Sequence, residues 1–123
     1  DFADLFLQTE LGKKAYKATW KKTEYQFKSN IAGMILTGSI DLTFEDECGN
    51  LIIVDYKTNK EVKPEIYYRQ LEAYKNAISA MRNIPLEKIQ CYLYYLRYAK
   101  TVNITEGCKT VNLEEVLQNA ENI

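Results

Sequence analysis

Gly38-Ser39-Ile40-Asp41-Leu42-Thr43-Phe44-Glu45 and Leu51-Ile52-Ile53-Val54-Asp55-Tyr56-Lys57 read as two strands joined by a turn at Glu47-Cys48-Gly49-Asn50. Residues two apart on a strand point to the same face, so Asp55 and Lys57 project together. If the two strands pair, Asp41 can lie beside them. Two carboxylates and an ammonium on one patch of sheet are costly as a structural core, because charged groups are rarely buried without partners. The same set suits a divalent cation held next to a phosphate.

The face of each strand follows from the alternation. The first of these strands is expected to run from about Ile35 to Glu45, with Leu36, Ile40, Leu42 and Phe44 on one face and Thr37, Ser39, Asp41, Thr43 and Glu45 on the other. Gly38 falls on the apolar register, where a strand glycine marks a bend or a close backbone approach. The Leu51–Lys57 strand is apolar on both faces in its first part, as expected of a central strand covered on both sides. A two-residue loop at Cys48-Gly49 would set Asp41 opposite Tyr56, on the wrong face. An odd-length loop or a bulge, placing Asp41 opposite Asp55 or Lys57, is therefore expected.

Working outward, residues 1–20 read as helical, with Leu5, Phe6, Leu11, Ala15 and Ala18 as an apolar stripe and Gly12 as a weak point. Lys13, Lys14, Lys17, Lys21 and Lys22 form a basic cluster, either a solvated face or a contact for nucleic-acid phosphates. Residues 23–28 alternate as a half-exposed strand that contains Glu24, and Ser29-Asn30 signals a turn. Pro64 opens a helix that runs to about Arg82. Its stripe is Tyr67, Leu71, Tyr74, Ile78 and Met81, and Gln70 lies one turn from Tyr74. Asn83 and Pro85 end that helix. An aromatic-rich strand over 90–98 and another over 101–105 follow, then a loop with Gly107 and a last helix capped by Asn112. The order is that of an α/β sandwich: a mixed β-sheet flanked by helices. The strand–helix–strand crossover into 90–98 makes a parallel, right-handed pair.

Three strings taken together carry a resemblance. Gly38-Ser39-Ile40-Asp41, then Val54-Asp55-Tyr56-Lys57-Thr58, then Gln70-Leu71-Glu72-Ala73-Tyr74 resemble the PD-(D/E)XK nuclease core, most of all the C-terminal nuclease domain of RecB- and AddA-type helicase–nucleases. The pattern G-x-I-D, D-x-K and Q-x-x-x-Y appears in order and covers about 24–96. The resemblance implies a restriction-endonuclease-like fold and Mg²⁺-dependent exonucleolytic hydrolysis of DNA, with Mn²⁺ as a possible substitute. It implies Asp41, Asp55 and the main-chain carbonyl of Tyr56 as metal ligands. Lys57 would position water or stabilise charge on the phosphate, and Gln70 and Tyr74 would orient Lys57, a backbone carbonyl or the phosphate. Partners implied are DNA, a covalently linked helicase domain and a second helicase–nuclease subunit, in recombination and repair. Glu24 matches a family glutamate or is a solvent-facing strand residue, and it is not read as a ligand.

The chain departs from that pattern in having no histidine, where RecB-type domains carry one on an upstream helix. The expectation is that this histidine precedes Asp1 in a longer protein, since the chain opens inside a helical pattern. The 123 residues are thus read as one nuclease domain, a fragment of a larger helicase–nuclease. Formal net charge is −1, so no overall basic field announces nucleic acid, although a cleft can concentrate positive charge locally. Three widely spaced cysteines and no C-x-x-C pair speak against a zinc or iron–sulfur site and fit a reduced, cytoplasmic chain. No stretch is long and apolar enough to span a membrane. Two other readings stay open: a nuclease fold that binds DNA or protein without cutting, and a standalone Cas4-like nuclease, whose cysteine-bound cluster the scattered cysteines do not match.

Overall fold

The computed structural model describes residues 2–31 and 33–112. Among these residues five strands form one mixed sheet in the order β1-β2-β3-β4-β5. They are β1 Lys21–Ile31, β2 Met34–Glu45, β3 Leu51–Lys57, β4 Ile89–Tyr95 and β5 Lys100–Asn103. The β3–β4 pair is parallel and the others antiparallel. Helices α1, Phe2–Leu7, and α2, Glu10–Lys17, carry Phe6, Leu11 and Ala15 to the apolar layer on one side of the sheet. Helix α3, Tyr68–Arg82, is the crossover between β3 and β4 and covers the other side. A single turn, α4 Thr105–Cys108, closes on α3 and β4.

The sheet separates two apolar layers. On the α3 side Ile40, Leu51, Ile53, Leu71, Ile78 and Leu93 pack together. On the α1–α2 side Leu42, Phe44, Ile52 and Val54 join Phe6, Leu11 and Tyr94. Each large aliphatic side chain so buried contributes about 1.5–3 kcal/mol. Within β3 this gives Ile53 to one layer and Ile52 and Val54 to the other, as the two-sided apolar pattern requires.

Several elements depart from their sequence reading, each for a local reason. The described residues among the first 20 hold two helices rather than one. The Thr9 hydroxyl donates to the Phe6 carbonyl at 2.6 Å and accepts from the Gly12 N–H at 2.9 Å, so one side chain ends α1 and caps α2. Gly12 is the close approach that this corner needs, because a Cβ there would collide with the Phe6 carbonyl. Ser29-Asn30 is strand, and the hairpin turns between Ile31 and Met34 instead. The helix read from Pro64 starts as a 3₁₀ turn, Pro64–Tyr67, before α3. Met81, placed in its buried stripe, is exposed. The aromatic strand stops at Tyr95, because Leu96–Tyr98 turn over as a 3₁₀ segment. The last helix expected after Asn112 falls outside the described residues.

The basic cluster sits on and just after α2, where its lysines are exposed. Lys13, Lys14 and Lys17 line a cleft of about 350 Å³ with Glu45, Asp46 and Glu47, so opposite charges face each other across it. Lys21 donates to the Ala15 and Tyr16 carbonyls at 3.3 and 3.2 Å, closing the C-terminal end of α2.

All three cysteines are free thiols; Cys48 is exposed in the β2–β3 turn, whereas Cys91 and Cys108 are buried. A hydrogen bond with Cys108, and then burial, push the Cys91 thiol well up. Titration of the folded chain with a thiol reagent should modify one cysteine quickly and two more only in denaturant. Three fast equivalents would contradict this packing.

Candidate active site

The site forms where β2 and β3 stop pairing. Their register runs Glu45↔Leu51, Phe44↔Ile52, Thr43↔Ile53 and Leu42↔Val54, and its next step brings Asp41 level with Asp55. The connecting loop 46–50 has an odd number of residues, which keeps the two aspartates in step. Asp46 shapes it: its Oδ1 accepts from the Cys48 and Asn50 N–H groups, both at 2.9 Å. Beyond Leu42 the main-chain ladder gives way. The Tyr56 N–H donates to Asp41 Oδ2 at 2.8 Å, a bond that a paired strand would make to main chain.

The face assignment of β2 is corrected here. Leu36 and Ile40 belong to the α3 layer, but Leu42 and Phe44 belong to the α1–α2 layer, so simple alternation breaks between Ile40 and Leu42. The break is shared with β1. Its pairs Thr23↔Leu42 and Tyr25↔Ile40 bracket Glu24, which would oppose Asp41 and instead has φ +50°. A left-handed non-glycine residue costs on the order of 1–3 kcal/mol and persists where the surroundings demand it. Glu24 is exposed, and its visible contribution is this kink beside Asp41.

Asp55, Lys57, Gln70 and Tyr74 are connected in series on the α3 face. Asp55 is 6% exposed, and its buried Oδ2 accepts no well-directed hydrogen bond. The Lys57 ammonium lies 2.5 Å from that oxygen and 3.4 Å from Gln70 Oε1. Gln70 Nε2 donates to the Tyr74 hydroxyl at 3.0 Å. That bond fixes the amide so that its oxygen faces the ammonium. The Tyr74 ring meets Phe27 edge-on, with centroids 5.1 Å apart, above Gly38. A Cβ at Gly38 would lie 2.8 Å from Phe27 Cζ and 3.2 Å from Tyr74 Cε1, so the close approach expected there is to two aromatic rings.

Tyr56 differs from the rest. Its ring packs against Phe6 and Tyr94 on the opposite face, at centroid distances of 5.9 and 6.3 Å, and only its main chain reaches the aspartates. Burial, with the Asp41 charge second, pushes its hydroxyl up to about 12. The sequence reading misses one neighbour as a site residue. The Tyr67 ring centroid lies 4.0 Å from the Lys57 ammonium. A signal exists in the spacing, since Tyr67 precedes Gln70 by three residues and shares its face, but an apolar stripe absorbs it.

Burial is the main reason that the Asp55 carboxyl is raised from its ordinary 3.8 to about 6; Lys57 pulls it down, and the nearby Asp41 carboxylate pushes it up. The donor set fits a hard divalent cation: two adjacent carboxylates, one with a buried oxygen that lacks a directed hydrogen bond. Among the described residues no three side chains of His, Cys, Asp or Glu converge on one point. A cation here would use Asp41 and Asp55 and complete its shell with main chain and water.

The family model of the PD-(D/E)XK nuclease superfamily matches residues 1–122, and the chain belongs to that superfamily. A curated relative, an ATP-dependent helicase/nuclease subunit from Lysinibacillus sphaericus, is 30% identical in an alignment covering 72% of this chain and 9% of that protein. The chain thus spans a small part of the length of the relative it matches. Among the described residues no helix is long and apolar enough to cross a membrane.

The raised Asp55 value sets a pH dependence of folding. The folded chain keeps this proton up to about pH 6, whereas the unfolded chain loses it near 3.8. Stability of the metal-free chain should therefore fall as pH rises from about 4 to 6, by up to roughly 3 kcal/mol, and stay lower above that. Urea unfolding followed by Trp20 fluorescence in the presence of chelator measures this. Asp41→Asn, which removes one of the raising charges, should make the decline shallower.

Proposed function

We propose that this chain is the nuclease segment of a helicase–nuclease and hydrolyses phosphodiester bonds of DNA with Mg²⁺, or Mn²⁺ in its place. The observation that carries the reading is the alignment of Asp41 and Asp55 at the end of a broken strand pair, with Lys57 on the same face. Asp41, Asp55 and the Tyr56 carbonyl would hold the cation. A cation bound there supplies charge neutralisation at the phosphate and a water of lowered pKa.

The protein's own groups do the rest. The Tyr56 N–H holds the Asp41 carboxylate in place. Lys57 balances Asp55 in the metal-free site and presents a compact ammonium to the scissile phosphate or its attacking water. Gln70, oriented by Tyr74, limits where that ammonium can sit. The exonucleolytic mode, a role in recombination and repair, a cytoplasmic location, the linked helicase and the second subunit are proposed with it. Their support is the family and the likeness to a helicase/nuclease subunit. A cysteine-bound cluster of the Cas4 kind is not favoured, because Cys48 is exposed in a turn while Cys91 and Cys108 are buried in the core.

Cleavage of linear DNA by the full-length protein tests the reading. Asp41→Ala, Asp55→Asn and Lys57→Ala should each lower the Mg²⁺-dependent rate by about 100-fold or more, and chelator should abolish it. All three variants should remain folded. An Asp55→Asn protein that cuts as fast as the unmodified one would overturn the assignment.

A further inference from the structure

Lys57 has a third neighbour that the nuclease reading leaves unused. Two of its contacts are oxygens, Asp55 Oδ2 at 2.5 Å and Gln70 Oε1 at 3.4 Å. The third is the face of Tyr67, with the ammonium 4.0 Å from the ring centroid. An aromatic face attracts a cation electrostatically, and more strongly where water is excluded. The Lys57 side chain is only 15% exposed, so this contact is largely desolvated.

The ring is fixed independently of Lys57. Tyr67 ends the 3₁₀ turn Pro64–Tyr67, and the next residue starts α3. Its hydroxyl donates to Asn59 Oδ1 at 3.0 Å. The segment carrying Asn59 is itself tied down, since Arg97 Nε donates to the Thr58 carbonyl at 3.0 Å and the Tyr98 hydroxyl to the Lys60 carbonyl at 2.5 Å. Tyr67 thus enters from the backbone of the turn that opens α3, with the hydroxyl bond as a second tether, and its ring stands beside a flexible four-carbon side chain. The two oxygens restrain the ammonium on their side, and the ring closes off another.

We infer that Tyr67 is a positioning residue for the phosphodiester cleavage proposed above, acting through Lys57 by its ring face. The inference rests on that proposal and adds a residue to it. A tyrosine that merely fills the edge of the α3 layer would look similar in a single substitution, so the test must separate the two roles.

The experiment compares Tyr67→Leu, Tyr67→Phe, Lys57→Ala and the Tyr67→Leu/Lys57→Ala double variant in the full-length protein, by single-turnover cleavage of linear DNA with Mg²⁺ and by DNA binding with Ca²⁺ in its place. Tyr67→Leu should lower the cleavage rate by about tenfold, the order expected for one desolvated cation–π contact. DNA affinity should stay within about twofold, and Tyr67→Phe, which keeps the ring, should recover most of the rate. In the Lys57→Ala background Tyr67→Leu should cost less than about twofold, because its effect passes through the ammonium. An equal loss in both backgrounds would overturn the inference in favour of packing. A Phe variant as slow as the Leu variant, a parallel loss of DNA affinity, or a Leu variant as fast as the unmodified protein would also overturn it. If Lys57→Ala itself cuts normally, the underlying assignment of Lys57 fails first. A slow Lys57→Ala with a fast Tyr67→Leu overturns only the role of Tyr67.

Discussion

Two carboxylates held side by side at a break in a sheet are the constraint on which the rest of this structure depends. Burial alone makes an ionised Asp55 costly, and Asp41 beside it adds repulsion. A fold that keeps this pair must fix its register, relieve the local sheet geometry and supply compensation. The five-residue loop shaped by Asp46 does the first. The paired kink at Glu24 and Asp41 does the second. The Tyr56 N–H on Asp41 and the Lys57 ammonium on Asp55 do the third.

The three sequence strings around the site form one physical circuit. Gly38 leaves room for Tyr74, Tyr74 orients Gln70, Gln70 and Asp55 share Lys57, and Asp55 faces Asp41, three residues beyond Gly38. A second group of buried charges on α3 shows what a structural pair looks like by contrast. Glu72 and Lys75, 8% and 4% exposed, meet at 2.7 Å, and Asn76 donates to the same carboxylate at 3.1 Å. Its formal charge sums to zero. When both aspartates are ionised, Asp41, Asp55 and Lys57 sum to −1, an imbalance that a packed core has no use for and that a bound divalent cation would reverse in sign, to suit a phosphate.

The parts of the fold visible in the sequence were those set by strong periodicity. The bounds of β3 and its parallel crossover to β4 follow from a two-sided apolar run and a helix-length stripe. The juxtaposition of Asp55, Lys57, Gln70 and Tyr74 followed from spacing and from the family pattern. What was hidden depended on single side chains acting across the backbone. Thr9 splits a helix that the apolar stripe had joined. Glu24 takes a left-handed conformation that no residue-type rule assigns to glutamate, and with that kink Leu42 passes to the opposite face from Ile40. Tyr67 read as core because a cation–π partner 4.0 Å away leaves no mark on periodicity.

Titration of this chain with Mn²⁺ in a calorimeter, at neutral pH and without nucleic acid, bears most directly on the paired carboxylates. One weak site is expected, because two carboxylates and a carbonyl leave about half of an octahedral shell to water. Asp41→Ala and Asp55→Asn should each remove it. Lys57→Ala should keep it and bind more tightly, since the ammonium competes for Asp55 Oδ2. Undiminished binding by either aspartate variant would contradict the account.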